Sequence, residues 1–191
     1  MRIVLASSSP YRRELMGRLG LEFTAFAPGI DETPRAAESA DALVARLSEA
    51  KAHVAAMHYP DALVIGSDQA AVVGSLILEK PGSAAAAQSQ LQSLCGKSVT
   101  FYTGLCVFNA RTASTRVAVE TAHVTYRDLS AAAIARYIAR DQPYDCVGAF
   151  KSEGYGVVVC SAMSSDDPTA LVGLPLIRLV AMLGAEGIDI P

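Results

Sequence analysis

The first apolar run of the chain leads into Ser7-Ser8-Ser9-Pro10-Tyr11-Arg12-Arg13. Serine hydroxyls, the free N–H groups of a helix start and two guanidinium groups in one short stretch are the parts of an anion site. Arginines in a first helical turn oppose the helix dipole, and a phosphate would relieve that conflict. The alternative is that they pair with a nearby acid such as Glu14. The run is not a Walker loop, because the glycines and the Gly-Lys-Ser/Thr ending are missing. A second group, Gly66-Ser67-Asp68-Gln69, is read as following the carboxyl end of a strand at 62–66, where open α/β sheets gather ligands. An aspartate there can hold magnesium, accept a proton from water, or merely cap a turn.

Glu32, in Asp31-Glu32-Thr33-Pro34, is a third acidic candidate, set against an ordinary solvated loop. Lys51 lies at the edge of a helix's apolar stripe, where snorkelling is the common explanation. Lys80 precedes Pro81 in a turn, and Lys151 and Glu153 flank Ser152 just before an expected strand. Asp166-Asp167 reads as a solvated loop without a role. Arginine and lysine for phosphates, carboxylates for a metal and a base, and no serine or cysteine triad together suit metal-assisted phosphoanhydride hydrolysis by water.

The elements that must position these residues follow from periodicity and punctuation. Residues 2–6 read as a buried strand. Ser9 caps a helix with Pro10 at its first position and Gly20 past its end. A strand at 22–26 and a loop at 28–35 precede a long helix from Asp41 to His58, with Leu43, Leu47, Ala50, Val54 and Met57 at helical spacing. Gly74-Ser75 joins a hairpin. Helices are expected over 84–95 and from Ser130 to Arg140, long strands over 98–108 and 116–126, and a strand over Tyr155–Cys160. Pro175 opens a last helix that turns Leu176, Leu179, Val180 and Leu183 inward and ends at Gly184. Interspersed strands and helices make the class α/β: a mixed, extended central sheet flanked by helices. The long strands suggest two lobes around a cleft, within a single domain spanning 1–191.

Composition sets the outer bounds. Hydrophobic residues make up 51% of the 191, enough for a sizeable core, and the net charge of −3 argues against nonspecific nucleic-acid binding. No apolar run approaches the roughly 18–20 residues of a membrane helix, and the apolar start is too short for a signal peptide. No membrane partner is therefore expected, and a reducing cytoplasm is the default location. Four cysteines without a CxxC pair and three scattered histidines argue against structural zinc. Only four lysines stand beside twelve arginines. A lysine kept against such a bias suits a place that needs a compact ammonium, although exposed surface lysine is the ordinary case.

At these residues the chain resembles the Maf family. The resemblance is carried by residues 5–13, Asp31-Glu32, Lys51 in Glu49-Ala50-Lys51, residues 66–69, Lys80-Pro81, Tyr102-Thr103-Gly104, Gly148 to Gly154 and Leu171 to Leu176, in order along the whole chain. It implies a fold related to the inosine triphosphate pyrophosphatases and an enzyme that releases pyrophosphate from a nucleoside triphosphate with a divalent cation. Magnesium is the expected ion, with manganese and cobalt as alternatives. The resemblance also implies that Ser7, Arg12, Arg13, Lys51 and Lys80 surround the phosphates. Glu32 and Asp68 would serve the metal and the water, with Asp68 as proton acceptor. Tyr11, Gln69 and Glu153 fall where the family's substrate branches differ. Gln69 and Glu153 resemble the 7-methyl-GTP branch, with tyrosine at 11 where tryptophan is that branch's usual residue. The competing readings are a pyrophosphatase for dTTP, UTP or other modified nucleotides, and a non-catalytic nucleotide-binding regulator of septum formation. The expected partner is the nucleotide itself, and a homodimer is compatible with the resemblance.

Overall fold

Apolar side chains alternate along the first strand, and each of its two faces finds a different helix layer. The computed structural model describes residues 1–190; Pro191 lies outside them. Strand β1 (Ile3–Ala6) pairs in parallel with β2 (Thr24–Phe26) and with β3 (Leu63–Val73). Helices α1 (Pro10–Gly17) and α2 (Ala40–His58) lie between these strands in the chain. β3 turns through Gly74-Ser75 into antiparallel β4 (Leu76–Leu78), the expected hairpin. Then follow α3 (Ala84–Leu94), β5 (Ser98–Asn109), β6 (Ser114–Tyr126), α4 (Ala131–Asp141), β7 (Cys160–Ser165) and α5 (Leu176–Ala185). The hydrogen-bonded order is β2-β1-β3-β5-β6-β7, with β4 on β3 and β7 antiparallel to β6. This is the mixed α/β sheet that the sequence implies.

The chain divides into two compact units. The first holds residues 1–69, 102–120 and those from Asp167 onward; the second holds 70–101 and 121–166. In the first unit, Ile3, Leu5, Leu63, Ile65, Leu105 and Val107 face α1 and α5, packing on Leu15, Met16, Leu179 and Leu183. The alternate residues Val4, Ala6, Val64 and Cys106 face α2 at Ala52, Ala55 and Ala56. Burial on both faces explains why the run at 62–66 has no polar alternation. In the second unit, buried Tyr126 and Tyr137 donate their hydroxyls to the carbonyls of Gly148 (2.9 Å) and Ala149 (3.2 Å). Those bonds hold an irregular turn in which Gly148 has φ 71°.

Three local expectations need correction. The buried face of α2 is Leu43, Val44, Leu47, Ser48, Lys51, Ala52, Ala55 and Ala56, while Met57 is 74% exposed and Val54 only partly buried. The cause is close approach to the sheet. A Cβ on Gly66 would collide with the Ser48 carbonyl, and one on Gly104 with that of Val44. The helix therefore turns its small residues, and Lys51 with them, inward. Second, Tyr155–Val159 is a 3-10 turn, and the strand begins only at Cys160. The N–H groups of Gly154 and Gly156 donate to the Lys151 carbonyl and that of Tyr155 to the Asp141 carboxylate, so they are not available to a ladder. Third, Asp167 is 2% exposed rather than solvated. Its carboxylate accepts from Thr169 N and from Ile177 N at the start of α5, supplying the cap that Pro175 cannot.

Candidate active site

Lys51, Glu32 and Asp68 form the centre of the site. The Lys51 ammonium lies 2.5 Å from Asp68 Oδ1 and 2.7 Å from Glu32 Oε1. Lys51 is 6% exposed and Asp68 8%. Lys51 is thus no snorkelling edge residue but a buried charge held by two carboxylates. Asp68 does not follow a strand, as expected from sequence; it sits inside β3, which continues to Val73. The parallel pairing of β1 with β3, however, ends at Ala6 and Gly66. Asp68 therefore stands just beyond the carboxyl end of β1, the kind of place where such sheets bind ligands. Gly66 also brings α2 near enough for Lys51 to reach it.

Glu32 rides on a loop with no regular structure, fixed at several points. Asp31 Oδ1 accepts from both the N–H (2.9 Å) and the hydroxyl (2.7 Å) of Thr33. Those bonds hold the Asp31 carboxyl below its ordinary pKa. Arg46, on α2, grips Glu38 through two nitrogens at 2.6 and 2.8 Å and reaches the Thr33 carbonyl at 3.3 Å. The Arg46 fork, with the Arg35 N–H, pulls Glu38 down to about 2.

At the start of α1 the serines act locally: Ser7 Oγ accepts from Ser9 N and Ser9 Oγ from Arg12 N. Arg12 does not pair with Glu14, which instead bonds Arg18. Arg12 Nε donates to the Gly173 carbonyl at 2.7 Å, one of five donors a guanidinium carries. Burial lowers the Arg12 pKa, with Asp68 and then Glu32 pulling it back up. The same Gly173 carbonyl accepts from buried Ser67, whose hydroxyl also faces the Gly104 carbonyl. Gly173 has φ 115°, a conformation open to glycine but rarely to other residues. Gln69 is fixed in the same way: its amide nitrogen donates to Thr103 Oγ1 and to the carbonyls of Ala170 and Leu171.

The first unit therefore brings Arg12, Glu32, Lys51 and Asp68 into one electrostatic cluster, with Ser7, Tyr11 and Arg13 on the adjoining end of α1 and Gln69 one residue along β3. Ser7 is buried, Tyr11 partly buried and Arg13 exposed. Lys80 and Glu153 belong to the second unit, and both are exposed. Desolvation by neighbouring protein raises the Glu153 pKa, against the pull of its own N–H and of Lys151. Sequence reasoning missed Arg46, Glu38, Thr103 and Gly173 as holders of the site. For Thr103 and Gly173 the signal lay in the motifs 102–104 and 171–176; for Arg46 the sequence carried none. Among the described residues, no set of three or more His, Cys, Asp or Glu side chains converges on a metal position.

A sequence profile described as Maf-like protein matches residues 2–186. A Nitrosococcus oceani protein named 7-methyl-GTP pyrophosphatase is 51% identical over 185 residues, 97% of this chain and 93% of its own. A Pseudomonas aeruginosa protein of the same name is 51% identical over 189 residues, covering 99% of this chain and 98% of its own. Among solved structures, the Staphylococcus aureus Ham1 protein aligns over 67% of this chain and 73% of its own, with a TM-score of 0.46 and 16% identity.

Proposed function

We propose that this chain, which belongs to the Maf-like protein family, is a pyrophosphatase that cleaves 7-methyl-GTP into 7-methyl-GMP and pyrophosphate. The observation that carries the reading is the Arg12–Glu32–Lys51–Asp68 cluster at the carboxyl end of the parallel strands. It supplies both signs of charge that phosphoanhydride hydrolysis needs and holds them in fixed positions. The full-length identity to proteins named for that substrate supports the choice of nucleotide. The matched profile spans both units, which supports reading the chain as one functional domain.

In this reading Asp68 accepts a proton from the attacking water. Arg12, aimed by the Gly173 carbonyl, takes a phosphate oxygen beside the start of α1, where Ser7 and Arg13 add donors. Lys51 and Lys80 are further phosphate ligands. Glu32 and Asp68 would hold a divalent cation: they offer hard oxygen donors, and both reach one point in space, since a single ammonium touches both. Two carboxylates with phosphates and water completing the shell is how magnesium is commonly bound. When bound, such an ion draws negative charge off the phosphates. Manganese and cobalt fit the same donors.

For the base, Tyr11 offers an aromatic face to the cationic 7-methylguanine ring, and Glu153 a carboxylate to its N–H edge. Gln69, with its amide nitrogen committed to three protein oxygens, presents its carbonyl oxygen as an acceptor. The nucleotide is the partner, a homodimer is compatible with the reading, and no helix is long and apolar enough to cross a membrane among the described residues. The cytoplasm, where nucleotides are turned over, is the proposed location. A pyrophosphate-release screen over 7-methyl-GTP, GTP, UTP and dTTP, with and without magnesium, tests the proposal. Magnesium-dependent preference for 7-methyl-GTP is expected. Preference for UTP or dTTP would overturn the substrate, and no release from any nucleotide would overturn the activity.

A further inference from the structure

The two carboxylates best suited to a divalent cation already share a cation of the protein's own. Lys51 Nζ lies within ion-pair distance of both Glu32 and Asp68, and the lysine is almost wholly buried. We infer that Lys51 is the resident counter-ion of the Glu32–Asp68 pair, and that a divalent cation enters this pair only when the phosphates of the nucleotide draw the ammonium away. The inference rests on the proposed function, since it takes the pair to be the metal's seat.

Charge counting supports it. Lys51 and Arg12 each act on both carboxylates, and these four groups sum to zero. Arg46 is near enough to act on Asp68 as well, though its hydrogen bonds go to Glu38. A divalent ion added alone would place two further positive charges on oxygens that already touch an ammonium. Glu32 opens to solvent, but Lys51 and Asp68 are buried, and repulsion between an ion at Asp68 and the ammonium is poorly screened. A polyphosphate brings several negative charges and gives Lys51 another partner. The lysine's four-carbon stem lets its head group move without moving α2. Metal and nucleotide then bind synergistically, and free metal has little hold on the empty protein.

Titration of the nucleotide-free, full-length protein with Mn2+, read by calorimetry and by the shift in Tm, tests this. Lys51→Met and Lys51→Gln remove the charge and should bind Mn2+ at least about 10-fold more tightly than the wild type, the low end for deleting a like charge at this distance. Their Tm should rise more on adding Mn2+. Lys51→Arg keeps the charge and should show no such gain. Wild-type binding as tight as that of a folded neutral variant would overturn the inference. Should both neutral variants fail to fold, the wild type still decides it. With only four lysines, 15N spectra of the side-chain ammonium groups resolve Lys51. Its signal should hold still with Mg2+ alone and move with Mg2+ plus an α,β-methylene analogue of 7-methyl-GTP. Movement with Mg2+ alone would overturn the inference. Turnover of 7-methyl-GTP by the same wild-type sample separates this failure from failure of the proposed activity.

Discussion

The two units treat their charged residues differently. In the first, Lys51, Glu32 and Asp68 hold one another, and Arg12 is tied to a backbone carbonyl. In the second, Lys80 stands exposed on irregular backbone and Glu153 on an exposed turn, while the buried tyrosines hold the preceding turn at Gly148 and Ala149. Bond cleavage tolerates little positional error, whereas discrimination among bases is a smaller energy difference. On this comparison we propose that the fixed Arg12–Glu32–Lys51–Asp68 cluster carries the chemistry, and that Glu153 of the second unit, like Tyr11 and Gln69 of the first, carries selectivity. Substitutions in that cluster should cost turnover on every nucleotide; a substitution at Glu153 should change which nucleotide is preferred.

The comparison is most exposed at Asp68. Asp68→Asn keeps the shape but removes the proton acceptor, and turnover should fall by at least about 100-fold on all substrates, the lower range for losing a general base. Pyrophosphate release by the folded variant measures it, and near-normal turnover would place the base elsewhere. Next comes Arg12→Ala, which should lower kcat/KM by about 10- to 100-fold, the scale of hydrogen bonds to charged groups. Arg12→Lys should rescue little, because a lysine cannot both meet the Gly173 carbonyl and present a fork to a phosphate. An effect confined to 7-methyl-GTP would break the division of labour between this cluster and Glu153.

Glu153→Gln tests the other side. It should cut kcat/KM for 7-methyl-GTP more than for GTP or UTP, narrowing the preference by about 1–3 kcal/mol, the size of one charge-assisted hydrogen bond. The Glu153 pKa is raised above its ordinary 4.5, and the useful form is the carboxylate. The wild-type preference should therefore hold above that raised pKa and weaken as pH falls through it, while the variant's preference stays flat. An equal loss on all nucleotides would move Glu153 into the chemistry.

How much of this was legible beforehand depended on the range of the cause. Capping and turn signals are local, so Ser9-Pro10, Ser130 and Gly74-Ser75 placed their elements well. The inward turn of Lys51 depends on Gly66 and Gly104, in strands distant in sequence, and helical periodicity alone put Met57 in the core instead. The 3-10 turn at Tyr155–Val159 likewise answers to Asp141 on another element, against a run of valines that favours strand. The residue types of the site were readable. Their mutual arrangement, above all one lysine between two acids, was set by tertiary packing.

The smallest expected effect concerns the loop that brings Glu32 to Lys51. Arg46 ties Glu38 and the Thr33 carbonyl to α2, and Glu38 is held at about 2 against an ordinary 4.5. A carboxyl with a depressed folded-state pKa adds stability above its unfolded value and loses it as pH falls through the folded one. The wild type should therefore lose this contribution between about pH 4.5 and 2. Arg46→Ala removes the fork and should flatten that part of the stability curve, measured as Tm against pH. At neutral pH it should lower kcat/KM only several-fold on every nucleotide, because Lys51 still holds Glu32 directly. Arg46→Lys, which keeps the charge but not the two-nitrogen grip, should recover less than half of either effect. A flattened acid limb with unchanged kinetics would make the tether purely structural. A loss as deep as that of Asp68→Asn would mean that the loop, and not the β3 aspartate, governs the chemistry.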